Sequence, residues 1–208
     1  MKCDLELLRN LIKDKYQDNH DVIIKTLNSL DARILFTEYH FNEYKNVNGD
    51  NLFVIAQANI VAFMQNLHSS HDILGHLIYY ILDLKFDDPK RINLTNVIQR
   101  INMSDYQVLF ELLESLTNND DFKYLNAYTS HSKHRHIVNP NFNIGINNVK
   151  EFGFSFDAFK YKEKHYEKRK VDNFLTSEYN REFKLIIQIE NELISILKDE
   201  KPKIWHEL

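Results

Sequence analysis

With 208 residues, 43% hydrophobic and 27% charged, the chain has the composition of a globular protein with one ample core, which excludes a disordered polymer. A net charge of −4 excludes coating of nucleic acid by bulk electrostatics, and a complement of four glycines and three prolines favours long helices over a strand-rich sandwich. The single cysteine, Cys3, excludes an intrachain disulfide or a thiolate metal cluster and points to a reducing compartment.

From the N-terminus, Leu5, Leu8, Leu11 and Ile12 recur at helical spacing. Asp4, Glu6, Arg9, Lys13 and Asp14 interrupt that segment with charge, so it does not have the pattern of a signal peptide. Asp21 is placed to cap a second helix, continued by Ile24, Leu27, Leu30, Ile34, Leu35 and Tyr39. Residues 51–85 contain one breaker, Gly75, and apolar side chains around most of the helical circumference, which predicts a long buried helix, bent or broken near Ser69 and Ser70. Phe63, Leu67, Leu74, Leu77 and Ile78 are its expected core face. No stretch reaches the roughly 18 apolar residues of a membrane span, so the expectation is a cytoplasmic protein with no membrane partner.

Pro89 closes this region, and residues 92–101 are ambiguous in period. Ser104 is placed to cap a helix carrying Val108, Leu112, Leu113 and Leu116, and Asp120 or Asp121 to start another that runs into His131. The period then changes from helical to alternating. Phe142, Ile144 and Ile146, then Phe152, Phe154 and Phe156, alternate with polar or small residues and predict two strands joined around Asn147 and Asn148. A last helix spans about 171–197. The expected fold is mainly α: a single domain over 1–208, built as a helical bundle of five to six helices with a β-hairpin inserted before the C-terminal helix.

Charge is unevenly spread. Residues 131–170 hold nine Lys or Arg against four Asp or Glu, a local net charge of +5 that leaves −9 for the remainder. The densest cluster is His131-Ser132-Lys133-His134-Arg135-His136, at the helix-to-strand junction. A second group, His68, Asp72 and His76, shares one face of the long helix at i, i+4, i+8, with His71 beside it. Three arrangements stay open. Asp72 can orient and charge an imidazole that moves a proton while Lys133 and Arg135 hold phosphate oxygens, a set suited to metal-independent RNA cleavage. Alternatively, His68, Asp72 and His76 join His131 or His134 around a divalent metal in a His/Asp metal-binding bundle. In the third arrangement the histidines and Asp72 satisfy one another as a structural polar network. The aromatics Phe152, Phe154, Phe156, Phe159 and Tyr161 fit either a core-packed strand or a base-stacking platform.

The run Phe122-Lys123-Tyr124-Leu125-Asn126 followed by His131-Ser132-Lys133-His134-Arg135 resembles the Lys-His-Arg signature of HEPN-like bacterial proteins. In that group a central-helix aspartate, matched in order by Asp72, precedes the signature, and a hairpin and final helix follow it. The resemblance covers most of 51–198. It implies a protein that binds or acts on RNA, as a metal-independent endoribonuclease of a toxin or defence system, or else a noncatalytic structural or regulatory homodimer. The expected catalytic residues are His131, His134, Arg135 and Asp72, and the expected RNA-binding residues are Lys133, Arg135, His136 and His68. No metal or other cofactor is expected. The sequence departs from the family's usual Arg, four to six residues, then His: no histidine lies at that distance after Arg135, and only Arg33 and His40 match by count.

Overall fold

The computed structural model describes residues 4–16, 20–86, 88, 92–101, 105–144 and 152–199. The expected cap Ser104, the turn around Asn147 and Asn148, and Pro89 lie outside these residues. Among the described residues the chain is mainly helical, with a small antiparallel strand region before its last helix. The helices are α1 (Leu5–Lys15), α2 (His20–Asn46), α3 (Leu52–Ile81), α4 (Leu94–Arg100), α5 (Gln107–Thr117), α6 (Asp120–His134) and α7 (Val171–Asp199). None is long and apolar enough to cross a membrane.

The chain gathers into two compact units. The first comprises Met1–Arg33, Ser69–Thr117 and Glu182–Leu208, and thus holds α1, α4, α5 and one part each of α2, α3 and α7. Its buried side chains are chiefly aliphatic, among them Leu8, Ile12, Leu27, Leu74, Leu77, Ile78, Val97, Leu113 and Leu193. Asp4 caps α1 by accepting from the Leu7 N–H at 3.0 Å, which satisfies one of the free donors at the helix start. Arg9 ties α1 to α2 through Asp31 at 2.6 Å. The ambiguous segment 92–101 forms α4, capped by the Asn93 side chain. Gly75 is no breaker, because α3 runs continuously past it and past Ser69 and Ser70. A Cβ at Gly75 would stand 2.8 Å from the Leu94 backbone nitrogen, so the missing side chain is what lets α4 begin against α3.

The second unit comprises Ile34–His68 and Asn118–Arg181. Its core is aromatic: Phe63, Tyr124, Tyr128, Phe154, Phe156, Phe159 and Phe174 are buried with Ile60, Met64 and Leu67. The expected strands are present as β1 (Pro140–Asn143) and β2 (Gly153–Phe156), antiparallel with Phe142 opposite Phe154. A short β5 (Arg169–Lys170) adds to β2, giving the order β1-β2-β5. A second hairpin, which the sequence pattern does not announce, pairs β3 (Phe159–Tyr161) with β4 (Lys164–Tyr166). Phe154 and Phe156 are buried, whereas Phe152 is 58% exposed.

Candidate nucleic-acid interface

Helix α6 starts at Asn119, whose side chain accepts from the Asp121 N–H at 2.7 Å. Asp120 and Asp121 stand in its first turn and His131, Lys133 and His134 in its last, so both ends carry the charge that suits the helix dipole. The helix stops at Arg135, where the backbone leaves helical geometry and its N–H donates to the His131 carbonyl at 3.0 Å. Beyond this cap residues 136–139 have no regular structure before β1 begins at Pro140. Lys133, His134, Arg135 and His136 are exposed, while His131 is buried.

His131 is the anchor of the cluster. Its ring packs 5.4 Å from Phe159 on β3 and edge-on to His136 at 4.6 Å. The two imidazole Nε2 atoms are 3.2 Å apart, a spacing at which one ring donates and the other accepts. Burial pushes His131 below the ordinary histidine value, the neighbouring His136 and Arg135 push it the same way, and a backbone hydrogen bond with Lys160 opposes them. A neutral His131 beside exposed cations is the electrostatic result.

The contact between His131 and Phe159 brings the two halves of the basic run together. On the β3–β4 hairpin Lys160, Lys162 and Lys164 are exposed, and the register sets Lys160 opposite His165 and Tyr161 opposite Lys164. Below them Phe159 stacks on Tyr166 at 5.0 Å, and both rings meet Tyr124. Arg169 lies 4.4 Å over Tyr124 and pairs with Asp121, which holds the strand region to the start of α6. Burial raises the Tyr124 and Tyr128 hydroxyls, so both stay neutral. The surface is thus a set of exposed cations over an aromatic base, with Lys160 held 3.3 Å from Glu163 at the hairpin tip.

The candidate residues of the long helix fall differently. His68 is half-buried in the second unit with the Lys-His-Arg segment, whereas Asp72 belongs to the first unit and is exposed. One turn after Asp72, burial lowers the pKa of His76 against the pull of the Asp72 charge. It is the neighbouring His71 that turns inward: its Nε2 lies 2.6 Å from Glu182 of α7, and both side chains are almost wholly buried. Asp72 is therefore not the carboxylate that faces a buried imidazole in this unit; Glu182 is. In the second unit Arg181 grips the buried Glu178 with two hydrogen bonds of 2.8 and 2.7 Å. Sequence reasoning misses these glutamates, although Glu178, Glu182 and Glu190 stand in phase with Phe174, Ile186 and Leu193 on the apolar stripe of α7.

Among the described residues no group of three or more His, Cys, Asp or Glu is arranged to hold a metal ion, so the metal-bundle arrangement has no donor set there. Compared with models of known protein families, with curated proteins and with solved structures, the chain finds no match in any of the three.

Proposed function

We propose that the second unit is an RNA-binding module whose contact face is built from the end of α6 and the β3–β4 hairpin. The observation that carries this reading is the packing of His131 on Phe159, which joins exposed Lys133, His134, Arg135 and His136 to exposed Lys160, Lys162 and Lys164. Cations on such a face neutralise phosphates and release counterions, so binding is strong at low salt and weakens as salt rises. The resemblance to HEPN-like proteins supports RNA as the nucleic acid. Binding of a labelled single-stranded RNA, followed by fluorescence anisotropy over a salt series, tests the reading. The double substitution Lys133→Ala with Arg135→Ala should weaken binding about tenfold and flatten the logarithmic salt dependence by about 0.7 for each phosphate that is no longer neutralised. Wild-type protein that binds no RNA at low salt would sink it.

The His131–His136 pair favours a second reading, cleavage of the bound strand. Exposed His136 would take the proton of a ribose 2′-hydroxyl, and buried His131 would share it. The 2′ oxygen would then bond to phosphorus while the 5′ oxygen leaves with a proton from His134, and Arg135 would hold the phosphate oxygens. This scheme uses residues of the second unit alone and no metal, so cleavage should persist in chelator and disappear in both His136→Ala and Arg135→Ala. The same resemblance implies a homodimer. Exposed Leu35, Phe36 and Tyr39 on α2 supply apolar surface for association, and light scattering after size exclusion measures it.

A further inference from the structure

On the second unit, the three-stranded sheet, the end of α2 and the start of α7 line an open pocket of about 430 Å³, within the range of pockets that hold small organic ligands. Its apolar wall is made of rings: Phe142 lies 5.2 Å from Phe152 and 5.1 Å from Phe154, and Tyr44 lies 6.3 Å from Phe154. Tyr44 and Phe154 are buried and form the floor, whereas Phe152 presents most of its ring to solvent. Val47 and Leu52 complete the apolar lining, and Lys45, Lys170, Asp172 and Asn173 form a polar edge. Lys45 pairs with Asp172, and the Lys170 ammonium donates to the Phe152 carbonyl at 2.9 Å. The basic run reaches the same sheet a second time where Lys168 meets the Asn143 side chain at 3.5 Å.

An exposed phenylalanine over a floor of rings, with two ammonium groups, an amide and a carboxylate at its edge, fits a particular chemistry. A purely aliphatic ligand would leave the cations, the amide and the carboxylate unused. A planar heterocycle uses all of them, because its face stacks on the exposed Phe152 ring, its edge exchanges hydrogen bonds with Asn173 and Asp172, and an attached phosphate meets Lys45 and Lys170. We propose that this pocket holds one unpaired nucleobase of a single-stranded RNA, stacked on Phe152 with the Phe142 ring edge-on beside it, and with its phosphate against Lys45 and Lys170. The proposal rests on the RNA-binding reading for the identity of its ligand and adds a preference for single over paired strands. A duplex offers the same phosphates to the basic face but keeps its bases stacked inside the helix.

The test uses the full chain and RNA oligonucleotides in which 2-aminopurine, a base whose fluorescence falls on stacking, occupies each position in turn. Anisotropy reports binding and 2-aminopurine intensity reports base capture in the same sample. Binding of wild-type protein should quench at least one position, and Phe152→Leu, which keeps apolar bulk at an exposed site, should abolish that quenching. The same substitution should weaken single-strand binding about tenfold and leave duplex binding unchanged. Thermal unfolding followed by circular dichroism establishes that the variant is folded. Binding without quenching at any position, or quenching that survives in Phe152→Leu, overturns the pocket while leaving the basic face standing. Absence of any RNA binding by wild-type protein overturns both.

Discussion

The two units of this chain solve the burial problem with different side chains. In the first, the buried hydrophobic residues are leucine, isoleucine and valine with a single ring, Tyr16, among those described. In the second, nine phenylalanines and tyrosines are buried, from Tyr44 and Phe63 to Phe159 and Phe174. Aliphatic side chains suit helix against helix, where ridges interdigitate. Rings suit the junction of helices with short strands, where one large side chain fills a space that no regular ridge reaches. Three- and four-residue strands bury little on their own, so the aromatic cluster is what fixes the two small sheets and the cations they carry.

The sharpest way to break the first unit is through its buried ion pair rather than its aliphatic core. His71→Ala should cost about 3–5 kcal/mol in denaturant unfolding, because it takes the imidazole away from a fully buried Glu182. Replacing both partners, His71→Phe with Glu182→Leu, should recover most of that loss; a double variant as unstable as the single one would show that the pair itself stabilises the fold. The cores compare next. Phe156→Ala should cost about 3–5 kcal/mol and Leu74→Ala about 2–5 kcal/mol, both sites being wholly buried. Only the phenylalanine change should also weaken RNA binding, since it alone undermines the base on which the cations stand.

The same contrast explains what could be read from the residues. Phe63, Leu67, Leu74, Leu77 and Ile78 announce a buried face through helical period, and all five are buried. Alternation around Phe142 and Phe154 announces β1 and β2 in the correct pairing. The β3–β4 hairpin stays hidden because its strands are three residues long and its two-residue turn, Lys162-Glu163, has none of the glycine or asparagine that marks such turns. In the candidate site the cluster 131–136 is legible from charge density. On α3 Asp72 is exposed while His71 is buried against Glu182, one position being about 100° of the helix and enough to separate solvent from core. Glu182 escapes because a glutamate on an apolar stripe is read as a flaw in the stripe until a partner is known.

A pH series sharpens the comparison on the electrostatic side. In the second unit His131 is held below the usual histidine value of about 6.5. Between its depressed folded value and about 6.5 the unfolded chain binds the proton more readily than the folded one. Its contribution to stability is therefore complete above about pH 6.5 and is lost as pH falls through that window. His76 gives the first unit a contribution of the same sign. Imidazole proton shifts followed by NMR should show both rings titrating below the free side chain. A His131 that titrates above it would mean that the ring is solvated and the packing against Phe159 is wrong.

The smallest expected effect concerns the tip of the β3–β4 hairpin. Lys162 has φ of 52°, in the left-handed region where a Cβ crowds the following carbonyl and glycine is free of that cost. Its ammonium lies 5.4 Å over the Tyr161 ring, and the side chain is otherwise exposed. A strained lysine kept at a turn fits a residue held for its charge rather than its conformation. Lys162→Gly should raise stability by about 1 kcal/mol or less while weakening RNA binding and reducing its salt dependence. Lys162→Asn separates the two effects, because asparagine tolerates the left-handed region and carries no charge. If either variant bound RNA as tightly as wild type at low salt, the hairpin tip would lie outside the contact face.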